Sequence, residues 1–294
     1  MSLESCKEFL RAVEDRADLA QQMKAATGLP EVLALAARHG FEFTARELAE
    51  TSATTAGPEQ PPPAPARRTR FHHHEYDLAA VPALAPLLDE LPALKIKPPA
   101  VDLAEFDTRF RAGDLRSTSD SPRDPEYQAW HRRMAAAQWR DAPGGHRRDF
   151  HLVNLDEHVD HPGYPDYFAA KTRVIAVLER AFGSEVRFSG SLWYPPRSYR
   201  LWHTNETQPG WRMYVVDLDE EFPPGGETSF FRYQAPDTGE LVTLPERRRI
   251  VRFFKAEQDP DRLFWHCIVN PTRRHRWSFG FVVPEDWADR IGVA

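Results

Sequence analysis

The chain of 294 residues carries 38 Lys and Arg against 44 Asp and Glu, a net charge of −6, which argues against non-specific nucleic-acid binding. Its ordinary hydrophobic share, eight tryptophans and eighteen phenylalanines suffice for a sizeable core, and the length suggests about two domains at roughly 150 residues each. No apolar run approaches the ~20 residues of a membrane span and no signal-like apolar region follows Met1, so no membrane partner is expected. Cys6 and Cys267 lie in different expected domains, which excludes a disulfide framework and fits a cytoplasmic setting.

The chain opens on a helical pattern. Phe9, Leu10, Val13, Ala17, Ala20 and Met23 recur at three- and four-residue steps, drawing an apolar stripe along one helix that Thr27-Gly28 breaks. Pro30 suits the first turn of a second helix and Gly40 its end. Thr44-Ala-Arg-Glu47 reads as a capping box opening a third. A proline-rich stretch follows, with Pro61-Pro-Pro-Ala-Pro65, and is expected to be an extended linker. The expected division is a helical domain over 1–50, a linker over 51–70 and a second domain over 71–294.

Arg67-Arg-Thr-Arg70 and His72-His-His74 read as a solvated basic loop rather than a metal site, since adjacent histidines point in different directions. Pro82, Pro86 and Pro92 break 78–94 into short helical turns. Asp124–Trp139 and Asp166–Phe182 read as helices, the second burying Phe168, Val174, Ile175, Val177, Leu178 and Phe182 and ending at Gly183. From Val186 the pattern changes to short strands: Val186–Phe188, Ser191–Tyr194, Met213–Asp217, Thr228–Phe231, Glu240–Thr243, Ile250–Phe253 and Trp277–Val283. Pro- and Gly-rich turns separate them. Seven or eight antiparallel strands burying one face, backed by helices, give an α+β fold containing a jelly roll, preceded by a small all-α domain.

The candidate chemistry gathers at two places. His203 and Asn205, two residues apart, share a face if both lie on a strand. His266 precedes the strand-like Cys267-Ile-Val269, and Arg276 follows ten residues later. Strand alternation turns Cys267 away from His266, and Trp202 and Trp265 away from the adjacent histidines, into packing roles. Two histidines plus an oxygen donor, with positions left open, suit a non-haem iron(II) centre. The planar fork of Arg276 suits two-point recognition of a carboxylate. Arg212 and Tyr214 on the next strand read equally as pocket residues and as structural ones.

Taken together, Tyr194, His203-X-Asn205, Gly225-Gly-Glu-Thr228, His266, Arg276 and Ser278 resemble the prolyl-hydroxylase-like branch of the iron(II)/2-oxoglutarate dioxygenases over roughly residues 186–283. The resemblance implies a double-stranded β-helix that holds Fe(II) through His203, Asn205 and His266. It also implies that 2-oxoglutarate is bound by Arg276, Ser278 and Tyr194. Asn205 stands where the family places a carboxylate. The first fifty residues, through Phe9-Leu10, Leu19, Ala25-Ala-Thr27, Ala36-Ala-Arg-His-Gly-Phe41 and Phe43-Thr-X-X-Glu47-Leu48, resemble the Nif11 domain, best known as a leader region on precursors of modified ribosomal peptides. The double-glycine site and short core peptide of such precursors do not follow. These resemblances imply an oxygenase that hydroxylates a peptide or small natural-product substrate, with the helical domain recruiting a biosynthetic partner protein. A halogenase-like variant and a non-catalytic jelly-roll binding protein remain open as alternatives, because Asn205 replaces the metal carboxylate.

Overall fold

The computed structural model describes residues 3–26, 29–44, 48, 73–141 and 148–293. The expected linker over 51–70, most of the capping box after Thr44, the Thr27-Gly28 break, Arg67–His72 and the turn at Pro143-Gly-Gly145 lie outside the described residues. The chain divides into two compact units, Met1–Arg68 and Thr69–Ala294.

The first unit contains α1 (Leu3–Asp15), α2 (Ala17–Ala25) and α3 (Leu29–Arg38). One helix was expected where α1 and α2 stand. Arg16 adopts an extended backbone (φ −120°, ψ 108°) and splits them. The split lets Phe9 and Leu19 enter one small core with Cys6, Leu35, Ala36 and Phe43, in which the Phe9 ring lies 5.6 Å from Phe41 and 5.4 Å from Phe43. Pro30 sits in the first turn of α3, and Gly40, at φ +83°, ends it in the left-handed conformation a glycine adopts without steric cost.

The second unit is built on two antiparallel sheets. Its strands are β1 (His73–Asp77), β2 (Phe150–His151), β3 (Val153–Asn154), β4 (Arg187–Tyr194), β5 (Ser198–His203), β6 (Gly210–Leu218), β7 (Phe230–Gln234), β8 (Leu241–Pro245), β9 (Ile250–Ala256), β10 (His266–Asn270) and β11 (Arg276–Val283). One sheet runs β1-β9-β6-β11-β4-β3 and the other β2-β5-β10-β7-β8. From β4 to β11 the chain alternates between the sheets strand by strand, except that β7 and β8 are consecutive in one, so that β4 and β11 adjoin in one sheet and β5 and β10 in the other. This is the double-stranded β-helix. Apolar side chains alternate along the strands accordingly. Met213, Val215, Val251, Phe253, Trp277 and Phe279 face the helices, whereas Leu192, Tyr194, Phe231, Phe254 and Ile268 face the space between the sheets.

Helices α4 (Leu87–Leu94), α5 (Leu103–Thr108), α6 (Ala112–Leu115), α7 (Pro125–Asp141), α8 (Tyr164–Phe182) and α9 (Trp287–Arg290) support the roll. Helix α8 buries Tyr167, Ala170, Val174, Leu178 and Phe182, the i, i+3/i+4 series that one face requires. Phe168 was expected on that face but is 57% exposed, because it lies one step round from Tyr167. Pro92 is accommodated inside α4. His73 and His74 correct another expectation: they belong to β1, not a solvated loop. His73 accepts a hydrogen bond from Arg252 Nε (3.0 Å), whereas His74 faces the opposite way, edge-on to Trp287.

Candidate active site

The site begins with a defect in strand pairing. His203 on β5 is the register partner of His266 on β10, and Arg200 is the partner of Ile268. Two residues, Leu201 and Trp202, therefore oppose Cys267 alone, which is a β-bulge. The extra residue turns both Leu201 and Trp202 outward, against Met134 and Tyr127 respectively. Arg200 and His203, three apart in sequence, then both face the pocket. Cys267 packs outward with Trp202, and Trp265 packs against the same cluster.

The two imidazoles lie with ring centroids 4.0 Å apart. His203 Nδ1 meets the Leu201 carbonyl and His266 Nδ1 the Phe264 carbonyl, each at 2.9 Å. A carbonyl only accepts, so both Nδ1 atoms carry a proton, and Nε2 is the atom through which each ring, when neutral, can ligate. That arrangement fixes ring orientation for metal ligation. Burial of His266 lowers its pKa to about 3, which keeps the ring neutral.

Asn205 lies beyond the end of β5, so it does not share a strand face with His203 as the spacing predicted. Its backbone is left-handed (φ +59°), a conformation asparagine tolerates better than most residues. Arg200 Nη2 donates to Asn205 Oδ1 at 3.3 Å, which leaves Nδ2 facing His266 Nε2 at 3.3 Å. The amide oxygen is thus engaged with a guanidinium rather than aimed at the space between the histidines. Among the described residues no group of three His, Cys, Asp or Glu side chains converges as a metal site. Two imidazole donors fit a divalent cation; Asn205, as oriented, offers it no oxygen.

Arg276, Ser278 and Tyr194 are brought together by the pairing of β11 with β4, where Arg276 opposes Tyr194 and Ser278 opposes Leu192. All three line the same pocket as His203 and His266. The Arg276 guanidinium sits 4.5 Å over the Tyr194 ring. Its Nε and Nη2 donate to Glu246 Oε2 and Oε1 at 2.5 and 2.8 Å, a buried two-point pair. Ser229 Oγ (2.7 Å) and Arg252 Nη1 (3.0 Å) also donate to that carboxylate. Burial alone would raise the Glu246 pKa, but Arg276, Arg252 and the Ser229 hydroxyl outweigh it and hold it at about 2. Arg252 is itself tied to Glu75 Oε2 at 2.9 Å. Arg276 Nη1 is buried without a hydrogen-bond partner.

Glu246, Arg252 and Arg200 went unread in the sequence. Glu246 begins the run Glu246-Arg-Arg-Arg249, which has the composition of a solvated turn. The available signal was Arg252, a lone charge within Ile250-Val-Arg-Phe-Phe254. Tyr214 lines the pocket and Arg212 does not; the latter donates to the Gln208 carbonyl in the loop that carries Asn205. The Gly225-Gly-Glu-Thr228 segment forms a turn whose first three residues are exposed; its successor, Ser229, reaches Glu246. The pocket itself is narrow, about 20 Å³, room for about one water. Its wall carries three guanidiniums, those of Arg200, Arg252 and Arg276, so its chemistry favours an anion beside the two imidazoles.

Residues 1–48 match the Nif11 domain. No curated protein matches the chain. Similar solved structures include a Pseudomonas putida prolyl-4-hydroxylase (14% identity, 60% of this chain and 90% of that one, TM-score 0.31). Another is a 2OG-Fe(II) oxygenase family oxidoreductase from Burkholderia pseudomallei (13% identity, 65% and 95% coverage, TM-score 0.31). A third is a Trichoplax adhaerens prolyl hydroxylase in complex with a hypoxia inducible factor peptide fragment (10% identity, 46% and 62% coverage, TM-score 0.30). At these scores the chain's own topology and residues carry the argument. The match over residues 1–48 makes the N-terminal segment a Nif11 domain, and the strand order makes the second unit a double-stranded β-helix with supporting helices.

Proposed function

We propose that the second unit is an oxidoreductase of the iron(II)/2-oxoglutarate oxygenase type, hydroxylating a peptide or small natural-product substrate of a biosynthetic pathway. The observation that carries this reading is the direct pairing of His203 with His266, both Nδ1 atoms tied to carbonyls so that both rings turn Nε2 away from them. These imidazoles would hold Fe(II), which when bound supplies the activation of dioxygen. Arg276, with Ser278 and Tyr194 beside it, would take the far carboxylate of 2-oxoglutarate. Of the roles open to Asn205, hydrogen-bond donation through Nδ2 agrees with its engagement by Arg200; ligation through Oδ1 requires that contact to break. The Nif11 domain would recruit the peptide or a partner protein. The free, buried thiols of Cys6 and Cys267 suit a cytoplasmic setting.

A second reading, a jelly-roll binding protein without turnover, is favoured by one observation: the amide of Asn205 faces the lone pair that a metal would use. Anaerobic titration of the full chain with Fe(II) and then 2-oxoglutarate decides between the two. A visible metal-to-ligand charge-transfer band, lost in His203→Ala and His266→Ala, is expected for the oxygenase. Absence of Fe(II) binding by the unaltered protein leaves the binding-protein reading standing.

A further inference from the structure

Glu246 does not line the pocket; the guanidiniums of Arg276 and Arg252 stand between it and that space. It grips the Nε and Nη2 nitrogens of Arg276 and leaves Nη1 as the nitrogen without a protein partner. Resting on the assignment of Arg276 to a ligand carboxylate, we propose that Glu246 is the positioning residue of that clamp. It sets the preference of this pocket for a 2-oxo dicarboxylate over a 2-oxo monocarboxylate.

The surroundings of Glu246 are built to hold it still. Its backbone N–H donates to the Ser229 carbonyl at 2.9 Å, and its Oε2 accepts from the Ser229 hydroxyl. Arg252, the second guanidinium on Glu246, is pinned by Glu75 and by His73 on β1. Stacking on Tyr194 restrains Arg276 from its other face. An arginine side chain is rich in rotamers, and a clamp already held in one of them binds more tightly. With Arg252 also held by Glu75, Glu246 occupies two of the three Arg276 nitrogens and leaves Nη1 for a ligand carboxylate. Without Glu246, Arg276 and Arg252 are neighbouring like charges with nothing between them.

The test is a ratio. Dissociation constants of 2-oxoglutarate and of 2-oxobutyrate, which lacks the far carboxylate, are measured by calorimetry on the Co(II)-loaded full chain. The wild type is expected to favour 2-oxoglutarate by about thirtyfold or more, as a charge-assisted pair implies. In Glu246→Gln that preference falls by about tenfold or more, with Co(II) affinity unchanged. Ser229→Ala, which loosens one oxygen of Glu246, lowers it in the same direction by roughly threefold. It carries the test if the glutamine variant does not fold. A preference that stays the same in whichever variant folds overturns the proposal. A preference that rises overturns it too, making Glu246 a competitor for Arg276 rather than its support. A wild type that binds Co(II) yet shows no preference removes the clamp assignment itself, a distinct outcome.

Discussion

At the scale of single residues, Arg276 illustrates how much of a side chain's context a sequence leaves out. Its charge and its spacing from His266 make it a candidate carboxylate clamp, and it lines a pocket with His203, His266, Tyr194 and Ser278. No local pattern announces that Glu246, thirty residues earlier in the chain, already holds two of its nitrogens. That pair changes what substitution does. Arg276→Ala strands a buried carboxylate on Arg252 and Ser229 alone, so it is expected to cost about 3–5 kcal/mol of folding stability. Urea denaturation checks this, and a loss below about 1 kcal/mol contradicts the buried-pair description. Asn205 asks for the opposite substitution. Asn205→Asp places a full negative charge beside Arg200 and the two imidazoles, so divalent-metal affinity is expected to rise at least about tenfold. Unchanged Co(II) affinity would place residue 205 outside the metal's reach.

At the scale of elements, most of the roll is written in the sequence as alternation and turns, while the exceptions that aim the site are not. The residues from Arg187 to Tyr194 read as two strands because Gly190 interrupts the pattern; they form one, with Ser189 bulged between the partners of Gly280 and Phe281. Strand β5 was the harder case. Its bulge puts Leu201 and Trp202 on one side, which no period-two pattern anticipates, and only pairing with Cys267 reveals it. Helix α8, by contrast, was legible in extent, and just its exposed Phe168 was assigned to the wrong face. Gly280 shows how closely the sheet is fitted at this point. A Cβ there would stand 2.6 Å from the Tyr214 ring and 2.7 Å from Ser189 Oγ. Gly280→Ala is therefore expected to push Tyr214 toward the pocket it lines and to cost about 1–3 kcal/mol. Full stability in that variant, by thermal unfolding, would show that the ring yields freely.

At the scale of the whole molecule, the buried titratable groups set how the fold responds to acid. His73 and His275 are held neutral by burial, with pKa values lowered to about 3 and about 4. Arg252 beside His73 and Lys97 beside His275 reinforce this. In the unfolded chain both bind a proton near pH 6.5, so between that pH and their folded values the unfolded state holds more protons. Stability present above pH 6.5 is thus lost as pH falls. Glu246 adds a second stage. Its folded pKa of about 2 lies below the ordinary carboxylate value, so its contribution is complete above about pH 4.5 and is lost on descent toward pH 2. Its full contribution is on the order of 3 kcal/mol. The expected profile of urea midpoint against pH is level above 7, falls through the histidine range, and steepens below about 4.5. In Glu246→Gln the lower step should shrink while the upper one persists, because the histidines are untouched. A wild-type profile that stays level from pH 7 to 5 contradicts the buried neutral histidines. A lower step undiminished in the variant would assign acid sensitivity to carboxylates other than Glu246.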